Sequence, residues 1–291
     1  MMITQSDIEE SVDAIAAARE THRPLKRLPP GGAALSVDDA YAIQEAFARR
    51  CGMAVVGYKI GCASKESQAL VRASGPFTSP IFAPGRIGSP AEVSARDFFT
   101  IGVEAEFAFS MLEGLPVRAT PYERAEVAAA VAALSPVIEI CDTRIADWKT
   151  ASIEEIIADN GFHGGLVVGR SIADWRSLDL PPHEAALSIN NEIRAKGASA
   201  ASLGDPFDGL VWVANDLGRR GYALKAGDIV ATGTWTGLHF VSAGAAVVAD
   251  FGSLGRVDLM VRRRYRRCAR FRTRGMAGGV GGSAIRPPAR L

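Results

Sequence analysis

The stretch FFTIGVEAEFAF, residues 98–109, decides how this sequence folds, because it has the composition of a buried strand and yet carries two acids. Side chains alternate between the two faces of a strand. Val103 and Phe107 would therefore share one apolar face, and Glu104 and Glu106 would share the other. We predict a strand whose second face holds two carboxylates side by side, with their α-carbons about 7 Å apart.

The overall composition is that of an ordinary globular protein. The chain has 291 residues, of which 48% are hydrophobic, 22% charged and 7% aromatic, which suits one large domain or two small ones. The N-terminal sequence MMITQSDIEE is polar and acidic, unlike a signal peptide, and no apolar run approaches the ~18 residues of a membrane span. The four cysteines have neither CxxC spacing nor the density of a disulfide framework. We therefore expect a reduced, cytoplasmic protein that does not bind a membrane.

Residues 262–291 differ from the rest of the chain in charge and composition. They contain ten arginines and no acid, so the formal charge of +1 for the whole chain leaves −9 for residues 1–261. The segment has no apolar periodicity and becomes rich in glycine, which predicts a basic, disordered Gly/Arg-rich tail. A basic arm on nucleic acid is one interpretation. We favour a solvated appendage and no nucleic-acid partner, because an acidic body repels polyanions.

Helix start signals and strand patterns alternate along the chain without a regular βαβ repeat. Five helices are predicted from their candidate N-caps: Ser6, Ser36, Thr120, Ser152 and Asp205. The helix from Thr120 is expected to end by Ser135, since Pro136 follows. Hairpins are predicted around residues 190–191 and 252–255. Because the later strands are predicted to be antiparallel, the predicted fold class is α+β.

A third acid stands in another apolar strand. Glu139 lies in SPVIEICD, residues 135–142, and a buried carboxylate is costly unless a positive charge neutralises it. Three carboxylates with positions left for water and substrate are typical of Mg²⁺ or Mn²⁺, whereas Zn²⁺ more often has His or Cys ligands. The alternative is that arginines pair with these acids for structural reasons, and Arg144 is an available partner.

A misplaced basic residue marks a further apolar strand. Lys59 lies in GYKIG, between Tyr58 and Ile60. A lysine in this position suits an anionic substrate, or it can donate a proton if burial lowers its pKa. The alternative is a surface lysine whose stem lies along the strand and whose ammonium group reaches water.

Five segments together resemble a known family. In this order and at these separations, VVGYKIGCASK, GVEAEFAF, LSPVIEICDTRIADWK, ADNGFHGGLVVG and AGDIVATGTWTG are similar to the hydratase/decarboxylase branch of the fumarylacetoacetate hydrolase superfamily. The likeness extends over about residues 5–261. It implies a mixed, rolled β-sheet core with flanking helices.

The resemblance also implies the residues of the site. One Mg²⁺ or Mn²⁺ would be held by Glu104, Glu106 and Glu139, and Lys59 would bind substrate or act in catalysis. The turn that closes the substrate pocket would be formed by three consecutive residues: Thr232, Gly233 and Thr234.

One departure from the hydratase pattern bears on the substrate, and one difference from the hydrolase members bears on the reaction. Relatives commonly have Asn-Ala-Ser where this chain has residues 160–163, Asn-Gly-Phe-His. His163 is therefore a candidate for acid–base work, although a lone histidine in a turn is more often a structural hydrogen-bonding residue. Hydrolase members usually have a histidine shortly before Glu-x-Glu, and Ile101 and Gly102 occupy that place here, which argues against hydrolysis.

The activity implied by the resemblance is a hydro-lyase reaction of aromatic hydrocarbon catabolism. Water would add to 2-hydroxypenta-2,4-dienoate, of the 2-keto-4-pentenoate type, to give 4-hydroxy-2-oxopentanoate. The alternatives are a 4-oxalocrotonate-type decarboxylase, a C–C hydrolase of an acylpyruvate, and a metal-free structural partner of such an enzyme. The expected partners are a small 2-oxo or 2-hydroxydienoic acid, further copies of this chain in a homo-oligomer, and a sister decarboxylase or hydratase.

The chain is divided accordingly into three segments. Residues 1–80 form an N-terminal helical and lead-in strand region. Residues 81–261 form the metal-binding catalytic β-roll, and residues 262–291 form the basic tail.

Overall fold

The computed structural model describes residues 3–263. The predicted disordered tail therefore lies outside the described residues, apart from Arg262 and Arg263. Within the described part, no helix combines the length and the apolar character that a membrane crossing requires.

Six α-helices occur in the described residues. They are α1 (Gln5–Thr21), α2 (Val37–Cys51), α3 (Lys65–Val71), α4 (Arg124–Ala129), α5 (Ile153–Ala158) and α6 (Pro206–Arg219). Short 3₁₀ turns connect several elements, at Ala83–Gly85, Ala95–Asp97, Trp175–Ser177, Ser199–Ala201 and Gly252–Leu254.

Thirteen strands occur in the same residues. The first seven are β1 (Val55–Gly61), β2 (Phe77–Phe82), β3 (Arg86–Gly88), β4 (Ala91–Ser94), β5 (Gly102–Met111), β6 (Val131–Cys141) and β7 (His163–Val168). The others are β8 (Glu184–Ile189), β9 (Glu192–Ala198), β10 (Ile229–Ala231), β11 (His239–Phe240), β12 (Ala246–Asp250) and β13 (Arg256–Arg262).

Three of the six helices in the described residues begin where the sequence predicts. Ser36 and Ser152 each accept a hydrogen bond from the backbone N–H of the third helical residue, and the side chain of that residue caps in return. Asp205 caps α6 ahead of a proline in the first turn. The first helix begins two residues earlier than predicted, because Thr4 and Asp7 form the capping box instead of Ser6 and Glu9.

The helix predicted from Thr120 to Ser135 is wrong in most of its length. Only Arg124–Ala129 is helical, with Glu123 at the N-cap, and β6 begins at Val131. Alanine is the strongest helix former, but helix propensity is a small energy per residue that tertiary contacts can override. Residues 131–141 instead pair with β5 along its length and are buried almost throughout, and this tertiary pairing outweighs the local preference.

Two sheets form the framework. The larger has the order β2-β1-β10-β5-β6-β7-β3, with β11 also paired to β5, and the smaller has the order β4-β13-β12-β8-β9. The β1–β10, β3–β7 and β4–β13 pairs are parallel, and the remaining pairs are antiparallel. The hairpins predicted at residues 190–191 and 252–255 join β8 to β9 and β12 to β13. The predicted α+β class with a mixed sheet is therefore confirmed.

One face of β5 packs into the main apolar core, as the alternation of its side chains predicts. Val103, Phe107 and Phe109 belong to an apolar cluster that also contains Leu187 of β8 and Val257 of β13, so this face of β5 packs towards the smaller sheet. β5 thus contributes an apolar face to the core, as predicted from period two.

The opposite face of the large sheet lies towards the N-terminal helices. A second apolar cluster there includes Ile43 of α2, Phe77 of β2 and Ile156 of α5. The boundary predicted after residue 80 falls within β2, and β1, β2 and β5 belong to one sheet. The functional site lies between this face and the helical layer.

Candidate metal centre and substrate pocket

The two central strands of the large sheet bring three glutamates to one pocket. Glu104 of β5 pairs directly with Glu139 of β6 in the antiparallel ladder, and Glu106 follows Glu104 on the same face. Glu106 and Glu139 are each 1% exposed. Glu104, Glu139 and Cys141 each place one ligand atom within 4.8 Å of the others. The acids predicted to meet from two separate strands therefore line the same cavity.

Lys59 reaches the same cavity from β1. The Lys59 side chain is buried, and its Nζ lies 3.5 Å from Glu139 Oε1. On the other side, Nζ lies 5.4 Å from the centre of the Phe77 ring. The alternative of a surface lysine is therefore wrong, and an ammonium group held in this way faces whatever occupies the pocket.

The three glutamates differ in how their surroundings affect ionisation. Burial, followed by the charge of Glu139, raises the pKa of Glu104 to about 7. Burial and the other two carboxylates raise the pKa of Glu106 well above its usual range. Burial alone would raise the pKa of Glu139 too, but Lys59 and the hydrogen bond from His163 outweigh it and lower that pKa. The pocket therefore holds more carboxyl groups than its one ammonium group can neutralise.

His163 lies behind Glu139 and does not line the cavity. Its Nδ1 is 2.8 Å from Glu139 Oε1, it is 4% exposed, and its Nε2 has no hydrogen-bond partner among the described residues. Burial lowers the pKa of His163, so the neutral ring donates its Nδ1–H to the carboxylate. The predicted acid–base role on substrate is not supported by this placement, because Glu139 stands between the ring and the pocket.

A strained turn holds His163 in place. Asn160, Gly161 and Phe162 have φ values of 64°, 58° and 63° in succession, which is a costly conformation for the two residues that have a Cβ. A Cβ at Gly161 would meet the Phe77 ring and Ser79 Oγ at 2.4 Å. The turn directs Phe162 to the cavity wall and leaves His163 under Glu139.

The predicted Thr-Gly-Thr turn is only partly in the pocket. Gly233 donates its N–H to Glu106 Oε2 at 2.9 Å, and it has φ 100°, where a Cβ would meet Ala63 at 2.6 Å. Thr234 lines the cavity, and its hydroxyl accepts from the N–H of Gly237. Thr232 is fully buried and donates its hydroxyl to the carbonyl of Phe107, so it supports β5 and does not face substrate.

The cavity itself is small and largely apolar. Its volume is about 70 Å³, and beside the polar groups its wall is made of apolar side chains from α3, β2, α5 and two loops: Leu70, Val71, Phe77, Ile156, Phe162 and Leu238. It shares residues with an open groove along α3 and the loop of residues 234–238. A small acid with an apolar tail suits this shape.

The donor set fits a divalent cation. Three carboxylates share the pocket with a single ammonium group, and oxygen donors of this kind suit Mg²⁺ or Mn²⁺. The alternative of arginine-paired acids is wrong for Glu139, because Arg144 bonds to Asp159 instead, with Nε 2.6 Å from Oδ1. The described residues therefore contain an acidic group that can hold a metal ion.

Comparison with family models settles the family. The fumarylacetoacetate (FAA) hydrolase C-terminal model matches residues 64–262, more than half of the chain. The chain belongs to the fumarylacetoacetate hydrolase family. The resemblance read from five sequence segments is thereby confirmed.

Two curated members of this family align over most of the chain. A 2-keto-4-pentenoate hydratase of Paraburkholderia xenovorans (strain LB400) is 30% identical over 258 residues, covering 88% of this chain and 95% of the relative. A 2-hydroxyhexa-2,4-dienoate hydratase of Comamonas testosteroni is 30% identical over 240 residues, covering 81% and 90%.

A solved structure shows the same fold. The 4-oxalocrotonate decarboxylase from Pseudomonas putida G7, complexed with magnesium and adipate, has a TM-score of 0.83 and 23% identity to this chain. The match covers 89% of this chain and 99% of that structure, so the architecture extends over nearly the whole of the described residues.

Sequence reasoning missed two features of the site. Cys141 joins the acidic group, and period two from Glu139 on the same strand was a signal that could have placed it there. No sequence pattern indicated that α3 and Leu238 would form part of the apolar wall, because only the tertiary structure brings these segments to the sheet.

Proposed function

We propose that this protein is a metal-dependent hydro-lyase that adds water to a 2-hydroxy-2,4-dienoate and releases a 4-hydroxy-2-oxo acid. The observation that carries the proposal is the cavity in which Glu104, Glu106, Glu139 and Lys59 converge. The hydratase relatives, 30% identical along most of this chain, support the reaction type.

We assign the metal to the three glutamates. The excess of carboxylate over ammonium in the pocket supports this assignment, and Mg²⁺ or Mn²⁺ suits an all-oxygen donor set. When bound, such a cation acts as a Lewis acid on the 2-oxo or 2-enol oxygen of the substrate.

The residues of the chain itself supply binding and orientation. The Lys59 ammonium neutralises the substrate carboxylate, because it is the basic group that faces the pocket. Burial would lower the pKa of Lys59, but Glu139 and the other pocket acids outweigh burial and raise it, so the group stays charged. His163 orients Glu139 through Nδ1, and the N–H of Gly233 orients Glu106. The apolar wall of the cavity would contact the hydrocarbon tail of the substrate.

Decarboxylation is the second candidate, because a decarboxylase shares the fold along 99% of its length. That reaction acts on a diacid, whose second carboxylate needs another cationic partner. Among the described residues that line the inner cavity, Lys59 is the one lysine, and no arginine is present. This favours a substrate with one carboxylate and therefore favours hydration.

The remaining parts of the proposal concern context. We place the reaction in aromatic hydrocarbon catabolism, in the cytoplasm, and in a homo-oligomer or a complex with a sister decarboxylase or hydratase. Cys51, Cys62 and Cys141 are free thiols, which agrees with a reducing compartment.

Metal removal and replacement test the proposal directly. The metal-stripped protein should not consume 2-hydroxypenta-2,4-dienoate, and Mg²⁺ or Mn²⁺ should restore the loss of its ultraviolet absorbance. Glu106→Gln should lower turnover by about 10³-fold or more, since it removes a donor and a charge that act together in the transition state. Release of CO₂ from 4-oxalocrotonate, measured in parallel, distinguishes the two reactions.

Glu126→Gln is the matched control. Glu126 is a glutamate of α4 that pairs with Arg118 outside the pocket, so its variant should retain the turnover of the wild-type protein. Full activity of Glu106→Gln, or activity that ignores chelators, would contradict the proposal.

A further inference from the structure

Cys141 is the one member of the acidic group that the proposed reaction does not use. It is 6% exposed and lies two residues beyond Glu139 on the same face of β6. The sulfur is therefore directed at the carboxylates that we assign to the metal, within 4.8 Å of an oxygen of both Glu104 and Glu139.

The other pocket cysteine is placed differently. Cys62 also lines the cavity, but its Sγ is directed at the carbonyl of Ser67, 3.8 Å away. It does not belong to the acidic group. The pocket thus offers two thiols of which only one is near the carboxylates, and this difference gives an internal control.

A thiol beside two carboxylates changes which cations a site prefers. Mg²⁺ binds oxygen donors and gains little from sulfur, whereas Zn²⁺ and Cd²⁺ form strong bonds to a thiolate. A coordinated thiol loses its proton to solvent, because the cation stabilises the thiolate. The described geometry supplies one sulfur and two carboxylate oxygens for such an ion.

We propose that Cys141, with Glu104 and Glu139, forms a binding site for thiophilic divalent cations that overlaps the catalytic metal site. The inference rests on the metal site of the proposed function and extends it to a class of ion that would compete with Mg²⁺. A cation bound through this sulfur would occupy the carboxylates that Mg²⁺ needs, so Zn²⁺ or Cd²⁺ would inhibit the enzyme by displacement.

Ultraviolet absorption of the cadmium–thiolate bond provides a readout that is independent of turnover. The full-length, metal-free protein is titrated with Cd²⁺, and Mg²⁺ binding is measured separately by calorimetry. We expect one equivalent of the thiolate band in the wild-type protein and in Cys62→Ser, and its suppression by excess Mg²⁺. Cys141→Ser should lack this band and bind Cd²⁺ about tenfold or more weakly, with Mg²⁺ affinity changed less than about threefold.

Cys141→Val is the second variant, since valine suits a buried strand and keeps the fold if serine does not. A band that persists in both Cys141 variants, or that Mg²⁺ does not suppress, overturns the inference. If the wild-type protein binds Mg²⁺, and Cys141→Ser shows the same thiolate band and Cd²⁺ affinity as Cys62→Ser, the inferred thiophilic site is wrong but the proposed Mg²⁺ site stands. If the wild-type protein binds no Mg²⁺, the proposed metal site fails instead.

Discussion

Arg144 and Glu139 are five residues apart and almost fully buried, yet they belong to two charge clusters of different kinds. Around Arg144, two negative charges balance two positive ones. Asp142 and Asp159 form ion pairs with Arg144, and their charges also act on Arg19. Around Glu139, three glutamates face a single ammonium group.

The hydrogen bonds follow the same division. Asp159 bonds to the backbone N–H and Nε of Arg144 and to the hydroxyl of Thr143. Asp142 accepts from the backbone N–H groups of residues 99 and 100. The charges of this cluster balance without any ligand, whereas those of the glutamate cluster do not. We infer that buried charge is structural where it is balanced and functional where it is in excess.

The largest expected effect is on stability in the balanced cluster. Asp159→Ala should lower the free energy of unfolding by about 3–5 kcal/mol, because Arg144 would remain buried without its main partner. Glu104→Gln in the metal-free protein should maintain or raise that free energy, since it removes repulsion from the other carboxylates. Chemical denaturation of both variants measures the difference. If both variants lose the same free energy of unfolding, the distinction between the balanced cluster and the glutamate cluster is wrong.

The second-largest effect is expected at the glutamate cluster, where carboxylates outnumber the ammonium group. Mg²⁺ at about 100 times its Kd should raise the free energy of unfolding of the wild-type protein by about 2.7 kcal/mol, because the ion binds only the folded state. Glu106→Gln should lose most of this stabilisation, and Asp159→Ala should retain it if the variant folds. Thermal unfolding with and without Mg²⁺ gives the values. If Mg²⁺ stabilises Glu106→Gln as much as it stabilises the wild-type protein, Glu106 is not a metal ligand.

The smallest effect is expected at His163. Removing its hydrogen bond in His163→Leu should weaken Mg²⁺ binding by about tenfold, as for other groups that orient a metal ligand. His163→Gln keeps a donor that can reach Glu139 and should restore most of the affinity. Calorimetry measures both, and unchanged affinity in the leucine variant would show that Glu139 needs no support from this side.

Local patterns predicted the parts of the molecule that depend on neighbouring residues. The candidate N-caps Ser36 and Ser152 predicted the starts of α2 and α5, since a cap bonds to a backbone N–H only three residues along the chain. The hydrophobic alternation in β5 predicted that Glu104 and Glu106 would share a face. The helix predicted from Thr120 failed because long-range pairing with β5 outweighed the local helical preference of its alanines.

The sequence by itself determined that three glutamates and a lysine would stand in apolar strands, because strand composition and period two are local properties. Only the tertiary structure decided which charges meet. It directed Arg144 to Asp159, placed His163 behind Glu139, and brought Lys59 of β1 into the cavity. These contacts join segments far apart in the chain, and their pairing depends on strand order and register, which no local pattern specifies.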